Sequence, residues 1–142
     1  MVTMAQSRPL IERGDVFDPT CPTRVVLDRI GDKWTVLVIA ALVDGPLRFT
    51  QVRQRIGGVA PKVLTQTLRA MERDGLVTRT VYAQVPPRVD YALTALGVSL
   101  GGPLAVLTDW AEAHVGEIVA SRDRFEEADL SRNDSEPVGV GR

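Results

Sequence analysis

The stretch Ala60–Leu76, reading APKVLTQTLRAMERDGL, constrains the fold of this chain more than any other. Leu64, Leu68 and Met71 recur at i, i+4 and i+7 and so share one side of an α-helix, with Val63 and Ala60 at the margin of that stripe. The opposite side carries Lys62, Thr65, Gln66, Arg69 and Arg73. Pro61 suits a first helical turn, where an N–H would be unpaired anyway, and Gly75 suits the left-handed residue just past the end. The spacing predicts a bounded helix of about four turns, apolar inward and amide-plus-guanidinium outward. Those outward side chains are the types that bond base edges and phosphates in a DNA major groove. On a lone helix the same face would be ordinary solvated surface, so the neighbouring segments decide.

Upstream, Thr50 to Ile56 reads as a two-turn helix with Phe49, Val52 and Ile56 inward and Gln51, Arg53, Gln54 and Arg55 outward, and Gly57-Gly58 then turns the chain. A short helix, a glycine turn and a longer helix with a polar outer face make a helix-turn-helix unit, whose second helix enters the major groove. Downstream the period becomes two. Leu76 to Tyr82 and Val89 to Leu93 read as strands, and Pro86-Pro87 between them cannot donate to a ladder, so it belongs at the hairpin tip or on an edge. This hairpin carries Gln84, Arg88 and Arg79, and a two-stranded wing directly after a recognition helix is the winged helix-turn-helix arrangement.

Before this unit, Thr23 is the expected N-cap of a short helix with Val26, Leu27 and Ile30 inward, ended by Gly31. Asp32 is expected to cap Lys33 to Val43, which is apolar nearly all round and hence the buried centre, with Trp34 as core packing. Gly45-Pro46 breaks that helix, and Leu47-Arg48-Phe49 is a small strand or an extended link. After the wing, Thr94 caps a long helix through about Ala120, which Gly101-Gly102-Pro103 should kink or break. Its apolar stripe includes Leu96, Leu100, Leu104, Leu107, Trp110, Val115 and Ile118. A domain of this size already has its core. The stripe from Leu100 to Ile118 is therefore expected to be a dimer interface, as in symmetric repressors that bind two half-sites. The expected fold is mainly α (α+β): a winged helix-turn-helix with a two-stranded wing and a long C-terminal dimerisation helix over residues 20–120. Residues 1–19 lack apolar period and read as a flexible arm, and residues 121–142 read as a disordered acidic tail.

Composition bounds the function. The 142 residues amount to one domain, 44% hydrophobic and 25% charged, as in ordinary soluble proteins. The longest apolar run, Val36 to Val43, is too short for a membrane span, and the N-terminus lacks a signal-peptide pattern, so a cytoplasmic protein without a membrane partner is expected. A single cysteine and a single histidine exclude an internal disulfide and argue against a metal site or other cofactor. Cys21 and His114 are far apart in sequence with no supporting motif, so no catalytic constellation and no enzyme is expected. The net charge of −1 hides an asymmetry: residues 22–99 hold 11 Lys or Arg against 6 Asp or Glu, whereas residues 100–142 hold 4 against 9. A basic body in an acidic protein points to a polyanion met by one surface, here double-stranded DNA with a palindromic operator. Lys62, Thr65, Gln66 and Arg69 are the expected groove-facing residues, with Gln66 and Arg69 as base readers and Lys62 on a phosphate. Arg48, Arg53 and Arg55 flank the backbone, while Arg79 and Arg88 belong to the wing.

Cys21 stands just before a helix N-terminus, where partial positive charge favours thiolate, and Arg24 one turn on adds to that. The packing of a small residue beside Pro22 would account for Cys21 equally well. Cys21-Pro22, Gly31-Asp32-Lys33-Trp34, Gly45-Pro46-Leu47-Arg48-Phe49, Leu64-Thr65-Gln66-Thr67-Leu68, Asp74-Gly75-Leu76-Val77-Thr78-Arg79, Val85-Pro86-Pro87-Arg88-Val89-Asp90-Tyr91 and Leu93-Thr94 occur in order and at matching spacing. Together they resemble the HxlR-type family of bacterial transcriptional regulators, related to MarR-type regulators. The resemblance implies a cytoplasmic homodimeric winged-helix DNA-binding protein that represses or activates near its own gene. It also implies redox or electrophile sensing at Cys21, since the Cys-Pro cysteine has that role in several members. One departure is Ala60, where the family often has Ser, so a cap worth roughly 1 kcal/mol and one phosphate contact are absent. Two alternatives stand beside this reading: control by a small-molecule effector in place of an oxidant signal, and a winged-helix module for protein contacts without DNA binding.

Overall fold

The computed structural model describes residues 13–135 and Gly139. The elements are α1 (Thr23–Ile30), α2 (Lys33–Leu42), β1 (Leu47–Arg48), α3 (Phe49–Ile56), α4 (Pro61–Arg73), β2 (Val77–Tyr82), β3 (Arg88–Leu93) and α5 (Ala95–Ser135). The chain forms two compact units, Met1–Val98 and Ser99–Arg142. The first is a winged helix-turn-helix.

Helix α2 is its centre. Its mean composition is apolar all round, and Thr35, Val38, Ile39, Ala41 and Leu42 are buried between α1, α3, α4 and β3. Asp32 caps it by accepting from the Trp34 N–H at 2.8 Å. Trp34 itself is half-buried, with the Lys33 ammonium 4.6 Å from its ring centroid, so it covers the core instead of filling it. Val52 of α3 and Leu64, Leu68 and Met71 of α4 complete the core with Val77 of β2.

One expectation is extended and the others are corrected. The wing is part of a three-stranded antiparallel sheet of order β1-β3-β2, because Leu47 and Arg48 pair with Tyr91 and Asp90. Two residues carry too little periodicity to announce such a long-range pairing. Helix α1 starts after Pro22, and Thr23 makes no cap bond; its hydroxyl is turned to the Cys21 sulfur. No residue of α1 is buried: Val25, Val26 and Leu27 are exposed and Ile30 is half-buried.

The last correction concerns α5, which stays helical past Ala120 to Ser135, where a disordered tail is expected, and is not broken at Gly101-Gly102-Pro103, where a kink or a break is expected. Ser121–Ser135 contains neither Gly nor Pro, and Arg122 and Glu126 stand at i, i+4, so the segment is acidic yet competent to stay helical. Most of the expected N-terminal arm and the last residues of the expected tail lie outside the described residues. At its start, α5 is fixed by Thr94. The Gly97 N–H donates to its hydroxyl oxygen at 3.1 Å, and the hydroxyl donates to the Gly75 carbonyl at 2.5 Å. Gly97 is required there, since a Cβ would collide with the Leu76 carbonyl oxygen.

Candidate nucleic-acid interface

The geometry of the interface follows from how α3 and α4 are joined. Gly57 and Gly58 both take positive φ, at 70° and 69°, which turns the chain where any side chain would be strained. Helix α4 then begins at Pro61 after an Ala60 that makes no side-chain cap, as its lack of a hydroxyl requires, and ends at Arg73, with Gly75 just beyond it at φ 77°. With Leu64, Thr67, Leu68 and Met71 facing the core, Lys62, Thr65, Gln66, Arg69 and Arg73 stand in solvent. The inner stripe includes Thr67, which the apolar period alone passes over.

Each predicted site residue has a definite setting. Lys62, Gln66 and Arg69 are exposed along one face of α4. The Thr65 hydroxyl donates to the Pro61 carbonyl at 2.9 Å, so its methyl group and an oxygen lone pair remain for a ligand. Arg53 and Arg55 are exposed on α3, and Arg48 is exposed before it. Gln51 is engaged as a cap, its amide oxygen accepting from the Arg48 N–H at 2.9 Å.

The two wing arginines both lie on the hairpin, as expected, and differ from each other. Arg79 pairs in register with Tyr91, well inside the hairpin, and not at its tip. It lines a cavity of about 430 Å³ together with Thr65, Leu68, Arg69, Glu72 and Tyr91, so the structure brings Arg79 and Arg69 to one concavity between α4 and the sheet. Arg88 grips Asp90 with two bonds, Nε to Oδ1 at 3.0 Å and a terminal nitrogen to Oδ2 at 2.9 Å, and lies 5.2 Å from the centroid of the Tyr82 ring. The Arg88 guanidinium beside Asp90 holds that carboxyl below the ordinary carboxylate value of 3.8, and the Arg48 charge adds to it. The pair stiffens the wing and leaves part of the Arg88 guanidinium for other partners. Its signal was local, since residues i and i+2 of a strand share a face. A second ion pair, Arg29 Nε to Asp74 Oδ2 at 2.7 Å, ties α1 to the end of α4 and needed the tertiary fold to be seen.

Cys21 is half-buried under residues that precede it. Its sulfur lies 3.1 Å from the Thr23 hydroxyl oxygen and accepts from the Asp15 N–H at 3.4 Å. Hydrogen bonding from Thr23, with the Asp15 amide, pulls the thiol below its ordinary value of 9.0, against the opposing charge of Asp18. Arg24 does not join this group: its guanidinium donates to the Val16 and Phe17 carbonyls at 3.2 and 3.3 Å. The close approach needs Gly14, where a Cβ would collide with the Thr23 hydroxyl.

On α5, Leu104 is buried and Leu100 half-buried, whereas Leu107, Trp110, Val115 and Ile118 are exposed. The His114 ring stacks on Trp110 at 4.6 Å and 16°, with Nδ1 2.8 Å from the Trp110 carbonyl oxygen. Among the described residues, no group of His, Cys, Asp and Glu could hold a metal ion.

Residues 29–119 match the HxlR-like helix-turn-helix family. An uncharacterised HTH-type transcriptional regulator of Escherichia coli, YtfH, is 42% identical over 113 residues, which span 80% of this chain and 90% of that one. The solved structure of ytfH from Salmonella typhimurium aligns with a TM-score of 0.72 at 41% identity, covering 78% of this chain and 99% of that one. The redox regulator HypR in its reduced form aligns with a TM-score of 0.64 at 35% identity, covering 70% of this chain and 98% of that one.

Proposed function

Because the chain belongs to the HxlR-like helix-turn-helix family of transcriptional regulators, we propose that it binds a palindromic operator as a homodimer and represses by occupying it. One observation carries this reading. The core side of α4 is completely closed by Leu64, Leu68 and Met71, while Lys62, Thr65, Gln66 and Arg69 project from it with no charged partner among the ion pairs of the described residues. Side chains held on a rigid helix and left free are what base readout requires. Gln66 and Arg69 read bases, Lys62 meets a phosphate, and Arg48, Arg53 and Arg55 follow the backbone. Arg79, which lines one concavity with Arg69, and Arg88, through the guanidinium nitrogens that Asp90 leaves over, meet the DNA from the wing.

The exposed apolar residues of α1 and of α5 beyond Leu104 support the homodimer, because a single chain leaves them in water. No helix of the described residues is long and apolar enough to cross a membrane, and a regulator of this kind works in the cytoplasm with its DNA. The test is a salt titration of binding to the region upstream of its own gene. Arg69→Ala is expected to relax specificity and cost about 1–3 kcal/mol, whereas Lys62→Ala weakens all sequences alike and lowers the salt slope by about one. If both variants bind as tightly as wild type, α4 is not the reader.

The signal is assigned to Cys21, on its lowered thiol pKa and its cover of Asp15 and Thr23. Its thiolate either adds to an electrophilic carbon, forming an S–C bond, or is oxidised to a disulfide. In the second case two sulfurs lose one electron each to a two-electron oxidant such as diamide, whose N=N bond takes up both electrons and two protons. The second sulfur comes from a small thiol or from the partner's Cys21. Diamide is expected to change the DNA affinity of wild type and to leave Cys21→Ser unaffected. Equal, unchanged affinities would remove the idea and favour a small-molecule effector, for which a thermal-shift screen of metabolites is the measurement.

A further inference from the structure

The family match stops at residue 119, yet α5 runs on to Ser135. A helix segment this exposed and this polar has little reason to persist alone. Its sequence carries a seven-residue repeat: Leu104, Ala111, Ile118 and Phe125 recur every seventh position, and Leu107, His114, Ser121 and Ala128 lie three residues after each. These are the a and d positions of a two-stranded coiled coil, with β-branched Ile118 at a; Leu107, Ile118 and Phe125 among them are exposed, and His114 is half-buried beside Trp110. Val119 and Leu130 fall outside the seam, as scattered surface apolar residues do.

Charge decides the partner and its direction. In a parallel pair, each g residue lies beside the e residue five positions on in the other helix. That rule sets Trp110 beside the partner's Val115, Glu117 beside the partner's Arg122, and Arg124 beside the partner's Asp129. Both charged pairs are of opposite sign, and two-fold symmetry makes each twice. An antiparallel seam would still pair Glu117 with Arg124 but would leave Arg122 and Asp129 opposite Val115 and Thr108. We propose that the exposed seam of α5 from Leu107 to Ala128 docks a second copy of this chain as a parallel two-stranded coiled coil, extending the dimer interface beyond the family segment. This rests on the homodimer reading above and adds to it the partner helix, its direction and a role for residues 121–135.

The experiment uses the full chain carrying Cys21→Ser, with its oligomeric state measured first by analytical ultracentrifugation. Ala128→Cys is then oxidised with diamide and is expected to give a covalent dimer on a non-reducing gel, because d faces d in a parallel seam. Leu130→Cys, on the outer side, is the control expected to stay largely uncrosslinked. Separately, Arg124→Glu is expected to raise the dimer Kd about tenfold, and Arg124→Glu with Asp129→Arg to restore it to within about threefold. Positions 124 and 129 are not neighbours on one helix, so rescue reports contact between chains. A dimeric protein in which Ala128→Cys does not crosslink, or in which the double swap does not rescue, overturns the parallel coil and leaves the homodimer standing. A monomeric parent chain overturns both.

Discussion

Helices α4 and α1 carry the same kind of amphipathic pattern and end in opposite surroundings. On α4, Leu64, Leu68 and Met71 are 0%, 1% and 0% exposed; on α1, Val25, Val26 and Leu27 remain 66%, 58% and 44% exposed. The difference is not in the side chains, which are all of strongly apolar type. It lies in position: α4 is held between α2 and β2, whereas α1 rests on α2 from outside a core that α2, α3 and α4 already close. Periodicity says that a face tends to leave water and does not say what will cover it. A covered stripe is the framework that aims α4, and an uncovered one stays in water in the single chain.

The largest expected effect tests the covered side. Leu68→Ala should lower the free energy of unfolding by about 2–5 kcal/mol, read by urea denaturation. The comparison breaks if Leu27→Ala costs as much in a chain diluted to monomer, where a change at an exposed site should stay within about 0.5 kcal/mol. Next, Leu27→Ser should raise the dimer Kd at least about tenfold while leaving the stability of the diluted monomer nearly unchanged. An unchanged Kd would return α1 to plain solvated surface.

Two smaller effects sharpen the same contrast. Thr35 lies at 0% exposure on the central helix, and its hydroxyl has no hydrogen-bond partner among the described residues. Thr35→Val should therefore stabilise the fold by up to about 1 kcal/mol, and a loss of stability would mean that the hydroxyl is satisfied by water. On the wing, Asp90 is covered while its partner Arg88 stays partly in solvent. The folded Asp90 carboxyl titrates below its unfolded value of 3.8, so the pair's contribution is complete above that value and is lost as the pH falls through the lowered one. Asp90→Asn should lower Tm at pH 7, and the gap to wild type should narrow below about pH 4. A gap independent of pH would assign the effect to shape and not to charge.

Much of the helix-turn-helix was legible because its signals are local. Asp32 caps α2, Gly57-Gly58 and Gly75 take the conformations that glycine permits, and the inward positions of α4 follow the helical period. That a long helix follows Thr94 was legible too, but its end was not, because the acidic composition of residues 121–135 masked the more telling absence of Gly and Pro. The Arg88–Asp90 pair could have been found from their i, i+2 spacing on a strand. Other features had no local signal. The pairing of β1 with β3, the use of the Thr23 hydroxyl by Cys21 in place of a cap, and the placement of Arg79 beside Arg69 all depend on segments meeting in space.

The order of residues alone determined that the helices and the hairpin follow one another in this order, which side of α4 is polar, and that the chain's basic charge is gathered before residue 100, because torsional preference and periodicity act over a few neighbouring positions. Packing alone decided which of those charges remain free. Arg69 stands clear, while Arg29 is tied to Asp74, 45 positions away. Such a contact exists only once the core has brought distant backbone together, and with it the fold settles which apolar faces are left exposed.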